Sequence, residues 1–251
     1  MIKAKDIYEY IDGFAPFETA MSFDNAGLLI GDPDKTSEKV IVALDVTSDV
    51  IEEAVQKNAS VIVTHHPVIF HPLKHVSSDS LTYKLIQNNI AVISAHTNLD
   101  ICVGGVNDTL AAAIGLTITE HTNEDCFLTA ELDKEISFTA FAENIKTKLR
   151  CKGLRFTSRN GNIKKVSVAC GAGGGSVYSA VKAKADALIT GEIKHHEILF
   201  ARENNLAVYD LGHFRSEDLM MEKLTKMLTQ RFPDTLFEKA SNDKEDIFYL
   251  S

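Results

Sequence analysis

Three stretches of this 251-residue chain carry imidazole and carboxylate groups where an apolar run stops. The first is Val61-Ile62-Val63-Thr64-His65-His66-Pro67. Its β-branched run reads as a buried strand that delivers two adjacent imidazoles, and the proline cannot continue the ladder. Neighbouring side chains of a regular strand face opposite ways, so both histidines serve one cleft only if the backbone turns at the strand's end. The second stretch, Ile93-Ser94-Ala95-His96-Thr97-Asn98-Leu99-Asp100, is another buried run that ends in polar groups. The third runs from Val208 to Glu217 and holds a glycine turn at Gly212, then His213 and Glu217 four residues apart. That spacing shares one face of a helix if the helix has already begun.

Each stretch also has a structural reading. Paired histidines at a strand end can be hydrogen-bonded scaffolding, Asp100 suits a turn ahead of Gly104-Gly105, and Glu217 suits the positive end of a helix dipole. Taken together, three imidazoles and two carboxylates are too many for one open catalytic zinc, and they suit two adjacent divalent cations bridged by a carboxylate. Glu217 is the candidate bridge. Mixed imidazole and carboxylate donors accept zinc, manganese, iron, cobalt or nickel alike. Paired cations activate water, so hydrolysis of a small molecule is the favoured reaction class. His96 or Asn98 could orient a ligand or carry a proton.

Positioning these groups requires strands that end together. Strand-like runs alternate with amphipathic segments through most of the chain, which predicts an α/β fold with mixed, mainly parallel sheets covered by helices. Strands are expected at Val40 to Leu44, Ser60 to Thr64, Ile90 to Ser94, Lys165 to Cys170, Ala187 to Thr190 and Ala207 to Asp210. Helices are expected at Ser48 to Lys57, Leu81 to Asn88, Asn107 to Ile114, Phe138 to Leu149, Val177 to Ala185, His195 to Glu203 and Ser216 to Gln230. The rhythm changes after Gly115. Residues 1–124 with 211–251 are therefore expected to form the domain of the metal site, and 125–210 a second, inserted α/β domain.

With 26 basic and 35 acidic side chains, the chain carries a net charge of −9 and repels polyphosphate backbones and anionic membranes, so nucleic acid is a poor partner. No apolar stretch has signal-peptide or membrane-span length, which predicts a cytoplasmic protein with no membrane partner. Cys102, Cys126, Cys151 and Cys170 form no CxxC pair, and they read as small hydrophobes rather than disulfides or zinc ligands. Gly171-Ala172-Gly173-Gly174-Gly175-Ser176 only approximates a nucleotide loop. A turn required by close packing is the preferred reading, with anion binding as the alternative.

The motifs THHP at 64–67, HTNLD at 96–100, GGVND at 104–108 and GHFRSE at 212–217, with DNAGLLIG at 24–31, resemble the Nif-three-like family. Its members are often labelled GTP cyclohydrolase type-two homologues. The resemblance covers essentially the whole chain. It implies two interlinked α/β domains, with His65, His66, Asp100, His213 and Glu217 as dinuclear ligands and Glu217 touching both cations. It also implies a ring-shaped homohexamer with the metal sites facing an internal cavity. Longer relatives insert an extra domain that this compact chain lacks. The match departs at Phe23, where relatives often have tryptophan, and at Ser216, often threonine. Gly191-Glu192-Ile193-Lys194-His195-His196-Glu197 resembles a family segment near the metal cleft, and His196 is its candidate functional member beside His96. A metal-dependent hydrolase of a small, nucleotide-like or phosphorylated metabolite is the leading expectation. The alternatives are a non-enzymatic protein of metal storage, delivery or regulation, and an interaction module whose histidines are fortuitous.

Overall fold

A computed structural model describes residues 1–122 and 126–244. They divide into two compact units, 1–102 with 220–244, and 103–219. The boundary expected at 124/125 lies outside the described residues, and the later one falls inside the helix His213–Arg231 rather than at 210/211. Apolar burial, not rhythm, explains the difference. Leu110, Ala111, Ile114 and Leu116 pack into one cluster with Leu128, Phe141, Val166 and Leu211, so the second unit starts early and ends late. His213 and Glu217 thus belong to the second unit, whereas the sequence expectation had put them in the first.

The first unit is built on a five-stranded sheet in the order Leu236–Lys239, Lys39–Ala43, Val61–Thr64, Ala91–Ser94, Gly27–Ile30. The first three pairings are parallel and the last is antiparallel. Both faces are covered, which is why these strands read as continuous apolar runs. Ile41, Ala43, Ile62 and Val92 pack with Val50, Ile51 and Ala54 of the helix Ser48–Gln56 and with Leu85 of the helix Leu81–Gln87. Val40, Val42, Val61, Val63 and Ile93, which alternate with them, are equally buried. Thr47 and Ser80 cap the two helices, their hydroxyls accepting from Val50 N and Tyr83 N. The helix Ala4–Asp12 buries Ala4, Ile7 and Ile11 along one stripe.

The second unit holds a six-stranded sheet in the order Thr117–Thr122, Phe127–Ile136, Ile163–Ala169, Ala187–Thr190, Ala207–Asp210, Arg155–Phe156. Its central βαβαβ series is parallel, as the alternation predicts, and the outer pairings are antiparallel. Period-two alternation sorts side chains to two cores. Val166, Val168, Ile189 and Tyr209 face Leu110, Phe141 and Ile145 from the helices Val106–Ala113 and Phe138–Lys148. Leu188 and Val208 face Val177, Ala180 and Ala201 from the helices Val177–Lys182 and His195–Glu203. Among the described residues no helix is long and apolar enough to cross a membrane.

Candidate metal centre

In the first unit the strand Val61–Thr64 is followed by two more ladder bonds, from His65 N to Ala43 O at 3.3 Å and from His66 N to Leu44 O at 2.9 Å. Thr64 Oγ1 then donates to His66 O at 2.9 Å and lies 2.8 Å from Ser94 Oγ, which ties the two strand ends together. This local turn brings the adjacent imidazoles to one place: ring centroids of His65 and His66 lie 5.0 Å apart. His96, at the end of the neighbouring strand, lies 5.2 Å from His65 and 5.6 Å from His66. One donor atom from each of the three falls within 4.8 Å of the others. Asp100 enters from the short helix Thr97–Ile101, with Oδ1 3.5 Å from His65 Nε2. Asn98 is engaged elsewhere, donating to Ala15 O at 2.7 Å.

Every ring in this group is held by its Nδ1. The acceptors are Ala95 O for His65 at 2.8 Å, Asp45 Oδ1 for His66 at 2.8 Å and Asp24 Oδ1 for His96 at 2.7 Å. An oxygen at Nδ1 keeps the proton there and leaves the Nε2 lone pair for a cation. Burial pushes the Asp24 carboxyl up, but hydrogen bonds from His96 and Thr97 outweigh it and bring it down to about 2.

In the second unit the strand Ala207–Asp210 leads through Leu211 and Gly212, whose φ of 86° is left-handed, directly into the helix His213–Arg231. The helix begins three residues earlier than the expected Ser216. That early start makes the four-residue spacing helical: His213 Nε2 stands 3.1 Å from Glu217 Oε2. His213 repeats the wiring of the first unit, with Nδ1 2.7 Å from Glu192 Oε1. Glu217 is 4% exposed and lies against Gly171, where a Cβ would stand 2.0 Å from Oε1. Gly171 also has φ of 56°, so a larger residue would be strained as well as crowded. Ser216 Oγ accepts from Gly171 N at 2.9 Å and donates to His213 O at 2.8 Å. Gly191 lets these segments meet, since a Cβ there would lie 2.6 Å from Gly171 O.

Close approach accounts for three of the four glycines at 171–175, whereas a Cβ at Gly175 would meet nothing within 4 Å. Gly173 and Gly174 would also place a Cβ within 2.7 Å of Ala169 Cβ and 2.5 Å of Glu192 O, respectively. His196 sits on the helix His195–Glu203 with its side chain 67% exposed, and it joins none of the candidate metal-ligand groups among the described residues. The residue of that segment that reaches a candidate donor is Glu192, through His213 Nδ1, and the sequence reading passed over it. Asp45 was missed too, although an acidic residue just after the end of a sheet strand is itself a positional signal.

A family model described as Duf34/NIF3 (NGG1p interacting factor 3) matches residues 2–245. A relative from Clostridium perfringens, named GTP cyclohydrolase 1 type 2 homolog, is 34% identical over 98% of this chain and 99% of its own length. A Staphylococcus aureus relative of the same name is 28% identical over 345 positions, covering 92% of this chain and 94% of its own. Those positions outnumber the 251 residues present here, so that relative carries segments this compact chain lacks. Among solved structures, Staphylococcus aureus protein SA1388 matches with a TM-score of 0.90 at 29% identity over 99% of both chains. Reduced HcgD from Methanocaldococcus jannaschii matches with a TM-score of 0.83 at 31% identity, over 96% of this chain and 98% of its own. Agreement along nearly the full length, in sequence and in fold, makes this chain a member of the Duf34/NIF3 family.

Proposed function

We propose that His65, His66, Asp100, His213 and Glu217 hold a pair of divalent cations that serves hydrolysis of a small metabolite. The observation that carries this reading is the histidine wiring: four rings each engage an oxygen through Nδ1. His121, away from these groups, instead meets Asp108 through Nε2 at 2.9 Å, so the Nδ1 pattern is not a habit of the chain. The donors fit the group, since neutral imidazoles and carboxylates are what borderline divalent ions take. The names of the relatives point the same way, to chemistry on a nucleotide-like compound.

Bound there, paired cations supply Lewis-acid charge and activate water at neutral pH. The chain's own work is to orient and to move a proton. Asp45, Glu192 and Ala95 O fix the ring planes, and the lack of a side chain at Gly171 leaves room for the Glu217 carboxylate. His96, its Nδ1 engaged by Asp24, offers Nε2 as the proton carrier; the exposed His196 is the weaker candidate for that role. Cytoplasmic residence and a homohexameric assembly complete the proposal, on the resemblance to the family.

Elemental analysis of protein purified without added metal tests the reading. We expect about two divalent ions per chain, with His66→Ala and Glu217→Ala each lowering that content. Chelation is expected to abolish turnover on a panel of esters, amides, phosphoesters and GTP. Unchanged metal content in both variants would overturn the site, whereas full, freely exchanging metal with no turnover on the panel would assign carriage instead of hydrolysis.

A further inference from the structure

Two aromatic rings stand in water beside the histidine cluster. Phe23 is 61% exposed and Phe70 38%. Their centroids are 6.4 Å apart with planes tilted by 51°. Phe70 also lies edge-on to His96 with centroids 6.1 Å apart, so the pair is continuous with the histidine cluster. Scattered exposed apolar side chains are ordinary and carry no message. What sets these two apart is how firmly their backbones are tied down.

Asp24 follows Phe23, and its side chain is wholly buried. It accepts from His96 Nδ1, Asn25 N, Thr97 N and Thr97 Oγ1. Met21 N donates to Thr97 Oγ1 at 2.9 Å, securing the other side of Phe23. Asn25 Nδ2 donates to Ile69 O, the carbonyl just before Phe70. The Asp24-Asn25 pair at the start of DNAGLLIG therefore lashes both ring-bearing segments to the strand end that carries His96. Ordering large apolar groups in water gives the fold little return, because their surface stays wet. The return comes when a ligand covers rings that are already ordered.

We infer that Phe23 and Phe70 form a platform on which the planar heteroaromatic ring of a small molecule stacks, delivering that molecule to the histidine cluster. Aromatic faces and edges favour flat, polarisable partners in stacked or edge-on contact. The net charge of −9 disfavours a polyanionic strand, which points to a single heterocycle, such as a purine or pterin, rather than a nucleic acid. What becomes of the bound molecule rests on the metal reading above; the stacking does not.

Guanosine is the probe, with ribose 5-phosphate as the ring-free control. Equilibrium dialysis is expected to show guanosine bound by wild-type protein, with and without chelator. Phe23→Ala and Phe70→Ala should each weaken binding by about tenfold while leaving metal content at the wild-type level. The chain has no tryptophan, so Phe23→Trp installs a sole indole. This variant should bind at least as tightly as wild type, and guanosine, unlike ribose 5-phosphate, should quench its emission. Absence of guanosine binding, or equal binding by both alanine variants, would overturn the platform. So would alanine variants that lower the sedimenting mass of the assembly without changing guanosine binding, since the rings would then be an interface between copies. Wild-type protein that lacks metal yet binds guanosine, together with quenching in the Phe23→Trp variant, would sink the hydrolase reading and leave the platform standing.

Discussion

A histidine ring becomes a ligand through what holds its far nitrogen as much as through its own presence. Replacing Asp45 by Asn weakens the grip on His66 Nδ1 without touching a donor atom. Metal affinity is expected to fall about 10- to 100-fold, read by competition with a chromophoric chelator, with the denaturation midpoint near wild type. Gly171→Ala acts from the opposite side: a methyl 2.0 Å from Glu217 Oε1, at a left-handed φ, must displace the carboxylate. It is expected to lose about 1–3 kcal/mol of stability together with metal. At this scale the candidate donors were legible, because they sit where apolar runs stop. Their orienting partners were not: Asp45 lies 21 positions from His66, Asp24 72 from His96 and Glu192 21 from His213. Spacing along a chain reports helical neighbours, as it did for His213 and Glu217, but not neighbours across strands.

Among the elements, the helix Ser48–Gln56 does more than cover a sheet. Its Glu53 is 3% exposed, and its carboxylate accepts from Ser241 N, Asn242 N and Lys57 Nζ at 2.7–3.0 Å. Burial pushes this carboxyl up, but the Lys57 ammonium and the two backbone N–H groups outweigh that and hold it at about 2. Its folded value lies below its unfolded one, so the stabilisation is complete above the ordinary glutamate value and is lost as pH falls toward 2. Glu53→Gln should remove up to about 3 kcal/mol at neutral pH and flatten the acid limb of stability, measured by urea unfolding between pH 7 and 3. Most strands and helices that bury an apolar run or stripe were readable from their periodicity, although the helix Ala4–Asp12 with its Ala4, Ile7 and Ile11 stripe was passed over. The edge strand Leu236–Lys239 was not readable, because only Phe237 of its four residues is buried and its pairing is carried by backbone. The expected start at Ser216 is late because the helix's first turn, at His213, carries the candidate donors His213 and Glu217 instead of an apolar stripe.

For the whole molecule, the division into two units predicts that residues 103–219 fold alone, since two of the apolar clusters lie wholly within them. A fragment of those residues should unfold in a single cooperative transition by circular dichroism; a fragment without one would show that the second unit depends on the first. The alternation of runs told the fold class from the sequence, but not where one core gives way to the next. That depended on which side chains share a cluster, as Leu110 and Leu211 do.

The strand Leu236–Lys239 lies beside Lys39–Ala43, though nearly the whole chain separates them. On a ribosome, the N-terminal sheet must therefore wait with one flank of N–H and C=O groups unsatisfied while everything between is translated, and an open flank of that kind recruits other chains. The nascent protein is most vulnerable to aggregation in that interval, and a stop codon just before Leu236 would make the vulnerability permanent.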